Sequence, residues 1–416
     1  MALKAPVQGN ESQGILPLLD NQTLLTSDSD KANCFNTQFQ NFFVKDNHIV
    51  QNFHTKNTPE MPEFSITVQD ITNAISEMKD KFTRTHEEIP SYFIKRTSSA
   101  ISFPLLLIFE ASLQYNIIPS AWKQAIVVPV FKKCNRNLAT NYRPISLTSS
   151  ICRLFESIVS KKILSHLLAN NLLSSQQFGL IPNRSSCCQL LSSLHQWTLS
   201  YSNNQTTNII YTDIRKAFDS VSHTKLIHTF RQYKIYPSLI NWLENLFTNR
   251  SQQVGINTSL SLPVHAYSGV PQGSILAPLE FILYFNDAPE ITIALEGSGN
   301  IMLFTDDAKV FSTVPDILQE SLQSFYIWLK SRQLQLAPEK CFLLQITKDH
   351  ITQPSYNFQI NNNIISSEPF AKDLGIFITQ NLKWDKHVDH IFQIGSVTSY
   401  QIRINMYGKC EQRYVW

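Results

Sequence analysis

The order of hydrophobic and polar residues predicts alternating helices and short strands. From Ile66 apolar residues recur at helical spacing, with Thr67 or Asp70 as the cap, and the region to about residue 116 is predicted to be mainly helical. A strand is predicted at 125–131, where Pro129 favours an edge position because proline cannot donate a ladder hydrogen bond. Further helices are predicted over 151–168, 224–233 and 237–247, with another beginning near Ser274.

Acidic residues interrupt two of the predicted β segments. The short run 208–212 ends at Asp213, and the runs 301–304 and 309–314 flank the residues Thr305-Asp306-Asp307-Ala308. Two apolar runs separated by a short polar stretch predict a β-hairpin, here without the usual Asn-Gly turn. The pattern therefore predicts carboxylates at the ends of neighbouring strands.

Residues 1–60 differ from the rest of the chain. They are rich in Asn, Gln, Ser and Asp, and they show no sustained period. We predict an extended lead-in whose one helical candidate, 31–44, carries Phe35, Phe39, Phe42 and Phe43 on one face.

Composition indicates a globular protein of two or three subdomains, since 416 residues with 43% hydrophobic content can bury more than one core. No apolar run is long enough to cross a bilayer and Met1 opens no signal segment, so we expect an intracellular protein, nuclear or cytoplasmic, with no membrane partner. The seven cysteines lack zinc-binding spacing and are expected to be free thiols. The pattern predicts no particular oligomeric state.

The charge of the chain is unevenly distributed. Residues 121–250 contain fifteen Lys and Arg but four Asp and Glu, so this block carries +11 and the remainder −8 of the total of +3. A basic block of this kind is typical of proteins that follow a phosphate backbone, and the alternative is a solvated basic face.

The adjacent Asp306 and Asp307 suggest metal binding. Two close carboxylates repel each other, and bound divalent cations remove that penalty, whereas a solvated turn is the alternative for an Asp-Asp pair on its own. Asp213, at the end of another strand, would bring three carboxylates together. Such hard oxygen ligands suit Mg²⁺, and two ions about 4 Å apart can support nucleotidyl transfer.

Several motifs then identify a resemblance to the reverse transcriptases, most closely those of jockey-like and CR1-like non-LTR (LINE-type) retrotransposons. The residues that carry it are Asn141-Tyr-Arg-Pro-Ile-Ser-Leu147, Gln177-Phe-Gly179 with Arg184, Asp213–Val221, Gly269-Val-Pro-Gln-Gly-Ser-Ile-Leu276, Phe304–Asp307, Leu336–Cys341 and Asp373–Phe377. The resemblance runs through most of the chain. It implies an RNA-directed DNA polymerase that uses an RNA template, a DNA primer and deoxynucleoside triphosphates.

The resemblance also implies catalytic roles. Asp213 and Asp306 would bind two Mg²⁺ ions directly, with Mn²⁺ as a substitute, and Asp307 would complete the site less directly. Lys340 matches a lysine proposed to protonate the leaving pyrophosphate in related polymerases, and a solvated lysine is the alternative.

Other positions match nucleotide-binding and template-binding residues of the family. Phe218 would exclude a 2′-hydroxyl by its bulk, with a core aromatic as the alternative. Lys133 and Arg143 would bind the triphosphate, and the alternative is that they are backbone-contacting or surface cations. Arg184 would bind template or nucleotide.

The loop 269–273 is expected to lie against bound substrate. Gly269 and Gly273 would let the backbone approach a ligand closely, and Gln272 would hydrogen-bond near the nucleotide sugar and the template base. Asp219 is predicted to cap a helix.

The implied fold is α+β, a right-hand polymerase with fingers, a palm and a truncated thumb. We expect a lead-in over 1–60, fingers over 61–205, a palm with the catalytic aspartates over 206–385 and the start of the thumb over 386–416. A short thumb would lower processivity, and intact elements of the family carry an endonuclease upstream.

Four departures from the family pattern suit a drifting copy of an element, and the alternative function is a catalytically inactive nucleic-acid-binding remnant. Residues 84–88 replace a glycine-containing turn, Asn183 replaces glycine, Thr305 replaces a small alanine, and Glu280 places a charge in an apolar helix. A buried Glu280 would be costly without a partner. A group II intron maturase or retron polymerase is a lesser variant, disfavoured by the LINE-like motifs.

Overall fold

The computed structural model describes residues 15–51, 58–80, 89–293, 299–348 and 356–396, and helices and sheets alternate along them. The predicted departure at 84–88 and the end of the predicted thumb, 397–416, lie outside the described residues. The named helices are α1 (Asp28–Gln40), α2 (Val68–Glu77), α3 (Ser91–Arg96), α4 (Ser98–Gln114), α5 (Ser150–Ala169), α6 (Ser186–Ser202), α7 (His223–Gln232), α8 (Pro237–Phe247), α9 (Ala277–Phe285), α10 (Ala288–Ile293) and α11 (Pro315–Ser331).

The strands are short, and most hold two to six residues. They are β1 (Leu18–Asp20), β2 (Thr23–Leu25), β3 (Gln124–Phe131), β4 (Tyr142–Leu147), β5 (Thr207–Thr212), β6 (Ile214–Arg215), β7 (Ser251–Ile256), β8 (Ser259–Leu260), β9 (Val264–His265), β10 (Asn300–Phe304), β11 (Asp307–Ser312), β12 (Gln335–Leu336), β13 (Phe342–Ile346), β14 (Gln359–Ile360), β15 (Asn363–Ile364), β16 (Ser366–Ser367), β17 (Phe370–Asp373) and β18 (Ile376–Thr379).

The chain forms two compact units, and each is built from three separate segments. Unit 1 comprises Met1–Leu173, Lys216–Phe285 and Ser331–Leu334. Unit 2 comprises Ser174–Arg215, Asn286–Lys330 and Gln335–Trp416.

The sheet of unit 1 has the strand order β4-β3-β7-β8, with β9 also paired to β7. The predicted strand at 125–131 is confirmed, but its edge position is wrong, because β3 lies between β4 and β7. Pro129 is tolerated because pairing with β7 ends at Val127 and because Pro129 faces Pro144 on β4. Two facing prolines can only form a non-hydrogen-bonded pair, so neither removes a bond between these two strands.

Residues 15–51 pack within unit 1. The helix predicted at 31–44 is present but begins at Asp28, where Ser27 caps it by accepting a hydrogen bond from the Asp30 N–H. Phe35, Phe39 and Phe42 are buried with residues of β1, β3 and β7. This segment is therefore folded where the sequence predicted an extended lead-in, since the apolar face of its one predicted helix packs against the sheet.

Helices form a second layer of unit 1. The predicted cap of α2 is confirmed, because the Thr67 side chain accepts from the Asp70 N–H while the Asp70 side chain accepts from the Thr67 N–H. Phe155 of α5 stacks on Phe109 of α4, with ring centroids 4.6 Å apart, and meets Trp242 of α8 edge to face. These aromatic contacts tie three helices into one core.

Unit 2 is built on a mixed sheet with the order β10-β11-β5-β13-β16. Neighbouring strands run antiparallel except β13 and β16, which are parallel. Leu190 and Trp197 of α6 cover one face of this sheet and are buried with Ile209 and Phe311. The predicted strands that flank the acidic residues are thus confirmed as neighbours.

The helix predicted to begin near Ser274 instead begins at Ala277. The described cysteines are free thiols, as predicted. Within the described ranges, the helices are all too short or too polar to span a bilayer.

Candidate active site

The acidic residues of unit 2 lie at the adjoining ends of β5 and β11. Ala308 pairs with Thr212 in the antiparallel ladder, so the next position of the register sets Asp307 opposite Asp213. Asp306 occupies the two-residue turn between β10 and β11. The register and the turn therefore place Asp213, Asp306 and Asp307 at the same end of this sheet, where the sequence predicted a shared metal site.

Alternation along both strands explains why the acids share a face. Ile209 and Tyr211 are alternate residues of β5, and Asp213 directly after the strand continues this alternation. Phe311, Lys309 and Asp307 alternate in the opposite direction on β11. Ile209 and Phe311 belong to the buried core, and the acids lie at the other end of the same face. One sheet face thus changes from apolar to acidic within a few residues.

The carboxylates repel one another in the absence of a cation. The pKa of Asp307 is raised to about 6, first by desolvation and then by the negative charges of Asp306, Asp213 and Asp373. Among the described residues, no three His, Cys, Asp or Glu side chains are drawn together closely enough to form a metal-binding group. The oxygen donors and their excess negative charge fit a divalent cation that takes its remaining ligands from water or substrate.

Lys340 lies beside the acids. It ends a short 3₁₀ turn, 338–340, and its Nζ is 3.1 Å from Asp213 Oδ2. Both side chains are about half exposed, so this ion pair can open at small cost. The Ala337 N–H donates to the Asp213 carbonyl at 2.8 Å, which holds the turn next to the strand end.

A buried ion pair that the sequence reasoning missed lies on the same face. Lys309 Nζ is 2.6 Å from Asp373 Oδ2, and the two side chains are 4% and 6% exposed. The Tyr211 hydroxyl donates to the same carboxylate oxygen at 3.1 Å, and the Lys309 ammonium also lies over the Trp197 ring. Burial lowers the pKa of Lys309, while Asp373 opposes that shift. The sequence feature that could have revealed this ion pair is a lysine among the apolar residues of β11, since a buried lysine needs a partner.

Unit 1 holds the predicted nucleotide-selecting residue. Phe218 stacks on Phe281 of α9 with a centroid separation of 4.4 Å, and its carbonyl accepts from the Val270 N–H at 2.9 Å. Phe218 is only partly buried, so part of the residue stays accessible while the stack on Phe281 fixes its position. The structure thus joins the loop 269–273 to the turn that carries Phe218.

The two glycines of this loop approach the chain's own backbone, whereas the sequence suggested approach to a ligand. Both have positive φ, +83° for Gly269 and +129° for Gly273. A Cβ on Gly269 would lie 2.7 Å from the Asp219 carbonyl oxygen, and one on Gly273 would clash with the Ser146 carbonyl oxygen. The Gln272 carbonyl accepts from the Ser146 N–H at 2.7 Å.

Gln272 and Asp219 form a side-chain pair. Gln272 Nε2 lies 3.2 and 3.1 Å from the two Asp219 carboxylate oxygens, and burial raises the pKa of Asp219 to about 6. The predicted helix cap at Asp219 is wrong, because Ser222 caps α7 by accepting from the Lys225 N–H. His223 Nε2 lies 2.9 Å from the Gly269 carbonyl oxygen, which further fixes the loop.

The three predicted basic contacts differ in their surroundings. Lys133 follows β3 and Arg143 lies on β4, and both are exposed to solvent. Arg184, in unit 2, is half-buried and its Nη1 donates to the carbonyls of Ser174 and Gln177. The first two are accessible to a ligand, whereas the Arg184 guanidinium is engaged by the protein backbone.

Comparisons with known proteins identify the family of this chain. The family model for reverse transcriptase (RNA-dependent DNA polymerase) matches residues 131–358, which is more than half of the chain.

Three relatives named as RNA-directed DNA polymerases, the first two as probable ones, are similar over most of the chain. The polymerase from transposon X-element of Drosophila melanogaster is 27% identical over 344 residues, which is 80% of this chain and 37% of the relative. The polymerase from transposon BS of Drosophila melanogaster is 26% identical over 388 residues, which is 88% of this chain and 42% of the relative. The polymerase from mobile element jockey of Drosophila funebris is 23% identical over 359 residues, which is 83% of this chain and 39% of the relative.

The chain spans about two fifths of the length of these curated relatives. It belongs to the reverse transcriptase family, among the polymerases of non-LTR, LINE-type retrotransposons.

Proposed function

We propose that this chain is an RNA-directed DNA polymerase that extends a DNA 3′ end on an RNA template with deoxynucleoside triphosphates. The observation that carries the proposal is the register of β5 and β11, which sets Asp213 opposite Asp307 with Asp306 in the adjoining turn. Three oxygen donors at one sheet end, in a member of this family, suit phosphoryl transfer better than any other chemistry of the described residues.

Asp213 and Asp306 would hold two Mg²⁺ ions directly, and Asp307 would complete the acidic site less directly. Mn²⁺ has the same preference for oxygen ligands and would substitute. Bound metal supplies activation of the primer 3′-hydroxyl and stabilisation of the leaving pyrophosphate. The pKa of Asp307 is raised to about 6 by desolvation and then by the neighbouring carboxylates, and it supports this assignment because a bound cation would offset both effects.

Lys340 has two functions in this proposal. In the free enzyme its ammonium, 3.1 Å from Asp213 Oδ2, offsets part of the negative charge of the acidic cluster. During catalysis it would donate a proton to the leaving pyrophosphate. The exposure of the side chain supports both functions, since a half-exposed lysine is free to change partners.

The remaining predicted residues would bind nucleotide and nucleic acid. Phe218, held by its stack on Phe281, would exclude a 2′-hydroxyl by its bulk. Gln272 and Gly273 would contact the nucleotide, and Gly269 the template or primer. Their fixed backbone supports a preformed binding surface, since such a surface costs little reorganisation on binding.

Exposed cations would complete these contacts. Lys133 and Arg143 would bind the triphosphate, which their solvent exposure permits. Arg184 is the least suited to a template contact, because two backbone carbonyls already accept its hydrogen bonds.

In the proposed right-hand architecture, 61–205 form the fingers, 206–385 the palm, and 386–416 the start of a thumb. The mixed sheet β10-β11-β5-β13-β16, with the acids at one end, supports the palm assignment. The exposed apolar residues Val388, Ile391 and Phe392, in the helical segment 385–396, support the assignment of this segment to the start of a thumb.

Primer extension tests the proposal. The purified chain, an RNA template, a labelled DNA primer and deoxynucleotides should give Mg²⁺-dependent extension. Asp306→Asn removes one negative oxygen donor with almost no change in size, and it is expected to lower extension at least about a thousandfold, the scale of an essential catalytic group.

Asp20→Asn is the matched control, since Asp20 lies exposed on β1 in unit 1. It should retain wild-type extension. A folded wild-type chain that incorporates no deoxynucleotide with either Mg²⁺ or Mn²⁺ would overturn the proposal and favour an inactive nucleic-acid-binding remnant.

A further inference from the structure

The turn that carries Asp306 has an unfavourable backbone conformation. Phe304 pairs with Asp307, so Thr305 and Asp306 form a two-residue hairpin turn, and Thr305 has a φ of +62°. Positive φ in the first turn position is normally occupied by glycine, and it is strained for a β-branched residue. Such a conformation persists only where the surrounding structure holds it.

The side chain of Gln177 supplies that support. Its Oε1 accepts from the Thr305 N–H at 2.9 Å, and its Nε2 donates to the Thr305 carbonyl at 3.2 Å. One side-chain amide therefore satisfies both backbone groups of the strained residue. Gln177 is 1% exposed, so it has no surface with which to contact a template or nucleotide.

Neighbouring residues hold Gln177 in place. The Phe178 N–H donates to the Leu303 carbonyl at 2.8 Å, and the Leu303 N–H donates to the Gln176 carbonyl at 2.9 Å. The segment 176–178 is therefore held parallel to β10 by a single β-bridge between Gln177 and Leu303. Arg184 Nη1 donates to the Gln177 carbonyl at 2.5 Å, which fastens this segment from the other side.

The fit between the segment and the turn is close. The Gly179 N–H donates to the same Gln177 Oε1 at 2.9 Å. A Cβ on Gly179 would lie 2.5 Å from both the nitrogen and the hydroxyl oxygen of Thr305. Only glycine leaves room for the turn at this point.

We propose that Gln177 is a positioning residue that fixes the Thr305-Asp306 turn, and hence the carboxylates of Asp306 and Asp307, with Arg184 fastening its backbone. This inference rests on the proposed polymerase function for its catalytic consequence. Catalytic groups must be held to within a fraction of an ångström, so a loosened turn lowers the rate of the chemical step. Substrate binding should change little, because Gln177 touches no substrate.

Gln177→Met tests the proposal because methionine fills nearly the same space without either hydrogen bond. Its kcat for primer extension should fall at least about tenfold, while KM for the primer–template stays within about twofold. Gln176→Met is the matched control, since Gln176 precedes Gln177 and pairs with Leu303 through its backbone carbonyl alone. It should retain wild-type kcat.

Amide hydrogen exchange gives a readout that needs neither activity nor metal. In EDTA, peptides that contain Thr305 should exchange at least about tenfold faster in Gln177→Met than in wild type or Gln176→Met, since one lost hydrogen bond corresponds to that change. If wild type fails to extend primers, the polymerase proposal fails. The exchange comparison would still test whether Gln177 holds the Thr305-Asp306 turn.

Gln177→Glu provides a second variant. The carboxyl keeps an acceptor for the Thr305 and Gly179 N–H groups, but it donates to the Thr305 carbonyl only in its protonated form, so intermediate exchange and intermediate kcat are expected. If Gln177→Met does not fold, Gln177→Glu carries the comparison with Gln176→Met. A folded Gln177 variant with unchanged exchange and unchanged kcat would overturn the inference.

Discussion

At the scale of single residues, Glu280 shows how the chain accommodates a charge inside a core. The side chain lies in the first turn of α9 and is 2% exposed, and its Oε2 has no hydrogen-bond partner within the described structure. Burial, followed by the negative charge of Glu156, raises the pKa of Glu280 to about 8. Glu280 is therefore protonated at neutral pH, which avoids the cost that the sequence predicted for a buried unpaired charge.

This protonation makes stability depend on pH. A carboxyl whose pKa is about 8 when folded and about 4.5 when unfolded contributes its full stability below the unfolded value and loses it as pH rises through the folded value. Glu280→Gln removes the titration. The variant should exceed wild type in unfolding free energy by about 3 kcal/mol at pH 7, and by little near pH 4.5.

Urea denaturation of both proteins across pH 5–9 measures the difference. Glu110→Gln is the matched control, because Glu110 is exposed on helix α4 and the same substitution there should leave the pH dependence unchanged. Parallel wild-type and Glu280→Gln profiles across this range would contradict a neutral buried carboxyl.

The sequence predicts the functional residues of a site well where a chemically reactive side chain also stands at a recognisable position, such as the end of a strand. Asp213 was recognisable because it follows an apolar strand. The Asp306-Asp307 pair was recognisable because it lies between two apolar strands. Asn183 and Thr305, the two departures at positions where the family favours small residues, both have positive φ, at +63° and +62°. Asparagine tolerates this conformation, whereas threonine needs the external support that Gln177 gives, and no local pattern reveals that support.

At the scale of secondary-structure elements, a buried ion pair joins β11 to β17. Lys309 and Asp373 are 64 residues apart in the sequence, and their side-chain atoms lie 2.6 Å apart. Removal of one partner leaves an uncompensated buried charge, which typically costs about 3–5 kcal/mol, whereas removal of both costs far less. The pair therefore specifies how β17 docks beside the acidic site.

A double-mutant cycle tests this pair. Lys309→Met should lower the unfolding free energy by about 3–5 kcal/mol, and Lys309→Met/Asp373→Leu should recover most of that loss. Arg215→Met, which breaks the exposed ion pair with Glu339 in the same unit, should cost less than about 1 kcal/mol. Equal destabilisation by the single and double variants, measured by urea denaturation, would argue against coupling.

Element boundaries were harder to predict than element types. The helix expected near Ser274 begins at Ala277, because Ser274 and the Ile275 N–H both donate to Glu156 on α5 and hold the chain in a loop. The position of β3 inside its sheet depends on β7, whose paired residues lie 127 positions further along the chain. Both features arise from tertiary contacts, which a local hydrophobic pattern does not contain.

At the scale of the whole molecule, the chain order and the packing order differ. Each unit gathers three segments of the sequence, so residues far apart along the chain pack in the same unit. The composition still predicted two or three subdomains, since total apolar content depends on length rather than on connectivity.

The basic block 121–250 leads to a prediction about nucleic-acid binding, because its charges are not equivalent. Lys133 and Arg143 are exposed, whereas Lys161 is 2.5 Å from Glu77 and so carries little uncompensated charge. Phosphate contacts release condensed counterions, so affinity for an RNA–DNA primer–template should fall at least about tenfold between about 50 and 200 mM salt.

Lys133→Ala distinguishes a specific phosphate contact by Lys133 from a general effect of the lower net charge. Loss of one phosphate contact should reduce the slope of log affinity against log salt by about 0.7–0.9, while Lys161→Ala should leave the slope unchanged. Fluorescence anisotropy of a labelled primer–template across a salt series measures both slopes. An equal change in the two variants would mean that affinity follows net charge, and Lys133 would then lose its proposed role as a specific phosphate contact.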